Sequence, residues 1–124
     1  MATVKEWIET AEARCGEKVE KLVIGLGPDW HDEDYVTLPP APWHNTPLNR
    51  EEGLAHLTAD FYPGFGSPAS PPIYAWTPTY LFLIHEYDGA TSLRILPRNP
   101  IGCAPDFGGW AEWSDNPLPR KEAK

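Results

Sequence analysis

Proline is the feature that most limits how this chain can fold, because it occurs fifteen times in 124 residues. That is more than twice the ~5% that proteins usually contain. Proline fixes the backbone φ angle and lacks the N–H donor that helices and sheets require, so it favours turns and interrupts long elements. The sequence therefore predicts short helices and strands joined by long Pro-rich loops.

The first segment with a clear pattern predicts a helix over residues 3–14. Thr3 is suited to cap its start, and Glu6 stands three residues later, as a capping box requires. Gly16 is suited to the position just beyond its end. An apolar stripe follows helical spacing and must be covered, for which a sheet is the obvious candidate. The stripe consists of Val4, Trp7, Ile8, Ala11 and Cys15.

Four segments have the character of strands. Residues 19–26 are mostly apolar and end at glycine and proline, and residues 73–76 form a short run before a second break. Residues 80–87 give the strongest signal. Asp88 and Gly89 then favour a tight hairpin turn, because both tolerate positive φ. We therefore expect residues 91–96 to return as the partner strand.

Residues 49–60 admit two interpretations. Asn49 can cap a short helical turn with Glu52 as its partner, and Gly53 limits how far that turn extends. The residues after it alternate between apolar and polar side chains, which favours a strand. The competing interpretation is one helix over 49–60. We favour the strand, whose apolar positions would be Leu57, Ala59 and Phe61.

These elements predict an α+β fold, with one N-terminal helix packed on a mainly antiparallel sheet of about four or five strands. The length is typical of one domain, which we place at residues 1–116. Residues 117–124 are polar and are expected to form a flexible C-terminal tail.

The charge balance limits the partners of the chain. The net charge of −8 disfavours direct binding to nucleic acid, which needs a basic surface. It favours instead a larger protein or nucleoprotein complex whose basic surface would meet an acidic one. No apolar run approaches the ~20 residues that span a bilayer, so we expect no membrane contact and a cytoplasmic location. We expect Cys15 and Cys103 to remain thiols rather than form a disulfide.

Residues 29–34, in the loop after the first predicted strand, combine acidic residues with a histidine. This loop could bind a metal ion, although a solvated acidic loop is the simpler interpretation. Its spacing matches neither a calcium loop nor a zinc motif. No cofactor is therefore expected. The alternative is a small metal-dependent hydrolase, to which His85 on the hairpin could also contribute. Its metal ligands would be His31, Asp32, Asp34 and His44.

Six tryptophans are many for this length, and four of them fall in irregular segments. Tryptophan is enriched at interface hot spots, since it offers a large contact area and a polar N–H group. Each of these side chains could instead pin a loop to the body of the fold. The predicted contact residues, including three acidic ones, are Trp30, Asp32, Glu33, Asp34, Trp43, Trp110 and Trp113.

Two short segments resemble a pattern in small uncharacterised phage-encoded accessory proteins. The first is the aromatic-glycine turn of residues 60–66, and the second is Glu-Tyr-Asp-Gly at residues 86–89. Ala90 and Thr91 stand here where those proteins carry Ser-Glu. The resemblance covers under a third of the chain and brings no catalytic residues. It implies a phage or mobile-element protein that binds and inhibits a host factor, such as a CRISPR-type defence complex, in the host cytoplasm.

The sequence is compatible with three functions. A protein-binding module comes first, because the ionisable side chains are dispersed and a stoichiometric inhibitor needs only a surface. The metal-dependent hydrolase described above is the alternative, so an enzyme is the less expected outcome. The third is a small-ligand module that binds a sugar or nucleotide through Trp43, Trp76 and the Pro-rich loop.

Overall fold

The N-terminal helix of the computed structural model begins and ends close to where its capping residues predict. The structure describes residues 2–26, 41–60, 70–87 and 90–111. Helix α1 spans Val4–Cys15, and the Thr3 hydroxyl accepts a hydrogen bond from the Glu6 N–H at 3.1 Å. Gly16 follows with φ 75°, and its N–H donates to the Glu12 carbonyl. The predicted helix thus differs from α1 by one residue at each end.

The described residues form a six-stranded sheet at the centre of the fold, with strand order β2-β1-β3-β4-β5-β6. All five neighbouring pairs are antiparallel, which confirms the predicted α+β class. The strand count exceeds the predicted four or five, because β2 and β6 contain two residues each and such short strands show no sequence period. The strands are β1 (Lys21–Ile24), β2 (Leu48–Asn49), β3 (Ile73–Trp76), β4 (Tyr80–Tyr87), β5 (Ala90–Pro97) and β6 (Trp110–Ala111).

The strand that we favoured after residue 56 is wrong, and a short helix precedes that segment. Helix α2 spans Arg50–Ala55, and the Asn49 side chain caps it by accepting from the Glu52 N–H at 2.9 Å. Residues 57–60 form no regular structure. The Leu57 carbonyl accepts a hydrogen bond from the Lys5 N–H at 3.1 Å. The Leu57 carbonyl is therefore hydrogen-bonded to the start of α1 rather than to a neighbouring strand.

The core lies between the two helices and one face of the sheet. Helix α1 packs against β4 and β5, whereas α2 lies against β1. A Cβ atom added at Gly53 of α2 would approach the Leu22 side chain to 2.4 Å, so only glycine permits this close packing. The buried strand residues of the core include Leu22, Ile24, Ile73, Ala75, Tyr80, Phe82, Leu93, Ile95 and Trp110.

Neither of the two described helices is both long and apolar enough to cross a membrane. Cys15 and Cys103 form no disulfide. The Sγ atom of Cys15 lies 3.8 Å from the Glu12 carbonyl oxygen, and Cys103 is exposed. The predicted tail at residues 117–124 lies outside the described residues.

Candidate contact surface on the sheet

The sheet has a second face, which looks away from α1. Side chains of a strand alternate between the two sides of a sheet, and Ala75, Phe82 and Ile95 lie on the core side with 0% exposure. Their chain neighbours therefore point to the other side. We call this side the outer face and define it by Val23, Tyr74, Trp76, Leu81, Leu83 and Leu96.

The strand register arranges these six side chains in two rows. In the first row Tyr74 lies between Val23 and Leu83. In the second row Leu81 lies between Trp76 and Leu96. All of them except Tyr74 are partly exposed. Each row is therefore apolar up to a basic residue at one end, with Arg94 beside Leu83 and Lys21 beside Trp76.

Tyr74 is the most exposed member of the outer face, at 56%. Its strand, β3, pairs with β1 on one side and β4 on the other, so ladder hydrogen bonds hold its backbone from both sides. Its ring lies edge-on to Trp76, with 6.3 Å between the ring centroids. A large aromatic side chain that projects from a rigid strand into solvent has the properties of a contact hot spot.

The described charges at the margins of the outer face are cationic. Lys21 is exposed on β1, while Arg94 is partly buried on β5. Arg94 donates to the Ser92 hydroxyl at 3.2 Å and to the Gly109 carbonyl at 3.2 Å. The acidic contact that we predicted through Asp32, Glu33 and Asp34 lies outside the described residues.

Of the four predicted contact tryptophans, the structure describes two. Trp43 is partly buried and stacks on His56, with centroids 3.8 Å apart and ring planes 9° apart. Trp110 is only 3% exposed and belongs to the core. Its strand β6 pairs with β5, so Trp110 packs the sheet and offers almost no side-chain surface to a partner. Trp30 and Trp113 lie outside the described residues.

No contact among the described residues brings the predicted metal ligands together. His44 is 7% exposed, and its Nδ1 accepts a hydrogen bond from the Ala41 N–H at 2.9 Å. Its Nε2 is buried without a hydrogen-bond partner. Within residues 2–26, 41–60, 70–87 and 90–111, no three His, Cys, Asp or Glu side chains converge as metal ligands would. His31, Asp32 and Asp34 lie outside these ranges, so this metal site stays a prediction.

Tyr74 is not among the contact residues predicted above, which were assigned to irregular segments rather than to strands. The signal was the run Ile73-Tyr74-Ala75-Trp76, in which both alternating positions are apolar. A strand with a single buried face alternates apolar and polar residues. A run that breaks this rule indicates that the second face also has an apolar role.

Comparison with protein-family models, with curated proteins and with solved structures finds no significant match to this chain. The fold and the outer face therefore define its class: an α+β protein whose antiparallel sheet carries a helix-covered core on one face and an apolar, aromatic surface on the other. The resemblance to phage-encoded accessory proteins stays a prediction.

Proposed function

We propose that this protein is a protein-binding module and that the outer face of its sheet contacts a larger protein or nucleoprotein complex. The observation that carries the proposal is Tyr74, which is 56% exposed at the centre of an apolar row. Burial of a Tyr side chain at an interface removes a large apolar area from water, and its hydroxyl can still form a hydrogen bond.

The geometry of the outer face suits a protein partner. Each of its two rows crosses three strands, and together the rows cover β1, β3, β4 and β5. Antiparallel pairing fixes the positions of these side chains, so little conformational entropy of the backbone is lost when a partner binds. Lys21 and Arg94 lie at the margins, where charged groups set orientation more than affinity.

The role that we propose for such a module is inhibition of a host factor by a phage or mobile-element accessory protein. The resemblance of residues 60–66 and 86–89 to phage-encoded proteins supports this role. So does the small size of the chain, because an inhibitor that blocks a surface needs contact area rather than a reaction centre. A CRISPR-type defence complex is the kind of target that we propose.

Affinity capture with matched variants tests the proposal. Phe107 is the natural control, because it and Tyr74 are the exposed large apolar side chains of the described residues. The bait proteins are the wild type, Tyr74→Thr and Phe107→Thr, each presented to a lysate that contains an active CRISPR-type complex. We expect the wild type and Phe107→Thr to retain the complex in a fixed ratio and Tyr74→Thr to lose it. Equal retention by all three, or retention by none, would contradict the proposal.

His44 is the described member of the metal site that the alternative function, a small metal-dependent hydrolase, would require. Its Nδ1 accepts the Ala41 N–H, so the neutral ring carries its proton on the buried Nε2, which would have to lose that proton before it could bind a metal ion. Elemental analysis of the purified chain tests this alternative. A bound transition metal that is lost in His44→Ala would support it, whereas a metal-free protein whose melting temperature ignores added zinc or manganese would exclude it.

A further inference from the structure

A pocket of about 310 Å³ lies beside Tyr74 on the outer face. The first row of that face forms one wall, from Val23 through Tyr74 to Leu83, and Pro72 and Asn45 lie next to it. The pocket volume is at the lower end of the range for small-ligand sites. None of the described side chains that line it carries a charge. A phosphate, a carboxylate or a metal ion would therefore find no counter-charge in this pocket.

Asn45 is the polar side chain among the lining residues of the pocket. Its φ angle of 62° is a left-handed conformation that asparagine tolerates better than most residues. Its backbone is fixed, because its N–H donates to the Ile24 carbonyl at 2.9 Å. Its carboxamide forms no hydrogen bond to a described residue, so both a donor and an acceptor are left for an occupant.

We propose that the pocket receives one apolar side chain from the protein partner and that the Asn45 carboxamide pairs with the peptide group next to that side chain. This inference rests on the proposed function, which it makes more specific. The volume admits one large side chain rather than a folded surface. A neutral lining selects a neutral occupant, since a charged group would be desolvated there without compensation. A carboxamide offers both a donor and an acceptor, so it can pair with either the C=O or the N–H of a peptide group.

The probe for this pocket is N-acetyl-phenylalaninamide, which combines an apolar side chain with peptide groups on both sides. We expect saturable NMR shifts of the backbone amides of Gly25, Asn45 and Tyr74, with a dissociation constant on the order of millimolar for so small a ligand. N-acetyl-glutaminamide carries the same peptide groups and a polar side chain. It is expected to produce no saturable shift.

Asn45→Gly isolates the carboxamide, because glycine adopts the same left-handed backbone without strain. Loss of one neutral hydrogen bond weakens binding about 2- to 12-fold, and we expect a loss in this range. Phe107→Thr lies outside the pocket lining and should leave the dissociation constant unchanged. The proposal is overturned if the phenylalanine probe does not saturate, if the glutamine probe binds equally well, or if Asn45→Gly binds as the wild type does. Capture of a partner that still depends on Tyr74 would then show that the proposed function holds and that only the pocket assignment is wrong.

Discussion

Glu12 and Arg50 form a bidentate ion pair that joins the two helices. Arg50 donates through Nε and Nη2 to the two carboxylate oxygens of Glu12, both at 2.8 Å. The Glu12 side chain is 1% exposed and that of Arg50 is 25% exposed. The Val19 N–H donates to the same carboxylate at 2.8 Å. A single buried carboxylate on α1 thus connects three parts of the fold. These parts are α1 itself, the segment that precedes β1, and α2.

Removal of one partner from this pair should destabilise the fold strongly. In Arg50→Met the Glu12 carboxylate stays buried with its main counter-charge gone, and Lys18 is 4.0 Å away and mostly exposed. Breaking a buried pair in this way costs about 3–5 kcal/mol. We expect the lower end, about 3 kcal/mol, because Arg50 is partly exposed. Urea unfolding of Arg50→Met measures the loss.

The matched variant is Glu12→Gln combined with Arg50→Met, which removes both charges and keeps an acceptor for the Val19 N–H. We expect the double variant to unfold at a higher urea concentration than Arg50→Met alone, because no unpaired charge is left in the core. A double variant that is less stable than Arg50→Met would show that the pair itself, rather than the penalty of an isolated charge, accounts for the effect.

Glu12 should also control part of the stability at acid pH. Burial by itself would raise the pKa of Glu12, but hydrogen bonds from Arg50 and Val19 and the charges of Arg50 and Lys18 together lower it below 4.5. As the pH falls below about 4.5 the unfolded state takes up this proton before the native state does, so the free energy of unfolding falls. We expect Glu12→Gln to lose less stability than the wild type between pH 4.5 and the folded pKa, measured by thermal melts across that range.

Glu86 is a control whose pKa shifts in the opposite direction to that of Glu12. Burial raises the pKa of Glu86, against a hydrogen bond from Thr91 that lowers it. The native state therefore binds this proton more readily than the unfolded state, which favours folding as the pH falls. Glu86→Gln should lose this gain and show a steeper acid loss than the wild type. Identical acid profiles for the wild type and both glutamine variants would contradict the assignment of these two groups.

Gly109 should be intolerant of substitution. Its φ angle is 76°, and an added Cβ atom would lie 2.9 Å from the Ile95 carbonyl oxygen and 2.7 Å from Leu96 Cδ2. Gly109→Ala must therefore move the backbone that leads into β6, at a cost of about 1–3 kcal/mol. Gly102→Ala is the control, because nothing lies within 4 Å of its Cβ position. Thermal unfolding should show a lower melting temperature for Gly109→Ala only, and equal losses for the two would contradict this account.

Local signals explain which parts of the fold could be predicted from the sequence. The start of α1 depends on Thr3 and Glu6, which are three residues apart, and the end depends on the adjacent Gly16. The β4–β5 hairpin follows from neighbouring apolar runs around Asp88-Gly89, whose own placement lies outside the described residues. In each case the residues that determine the structure are close together in the chain, so their pattern is visible without tertiary contacts.

Contacts between distant residues explain what could not be predicted. Trp110 forms a strand only because it pairs with Ile95, and a two-residue strand has no period of its own. Residues 57–60 alternate as a strand would, yet the Leu57 carbonyl is occupied by Lys5. The exposure of Tyr74 depends on which side of β3 faces the helices, and a strand that is apolar on both sides does not reveal this.

Tyr74→Thr should separate binding from stability. Both tyrosine and threonine are residues that strands favour. Substitutions at exposed positions usually change the free energy of unfolding by less than about 0.5 kcal/mol, and we expect somewhat more here because the contact with Trp76 is lost. We expect urea unfolding to give a stability within about 1 kcal/mol of the wild type. A larger loss would mean that Tyr74 is a structural residue. Any loss of partner binding in this variant would then result from unfolding rather than from the missing contact.

Site-specific photo-crosslinking at Tyr74 shows whether the outer face of the sheet contacts a partner protein. A benzophenone amino acid is placed at position 74 in one protein and at position 107 in another, and both are irradiated in host cells that contain the defence complex. We expect one discrete crosslinked protein from position 74 and none from position 107. Crosslinking from position 107 alone, or from neither position while the wild type still captures a partner, would show that the outer face of the sheet is not the contact surface.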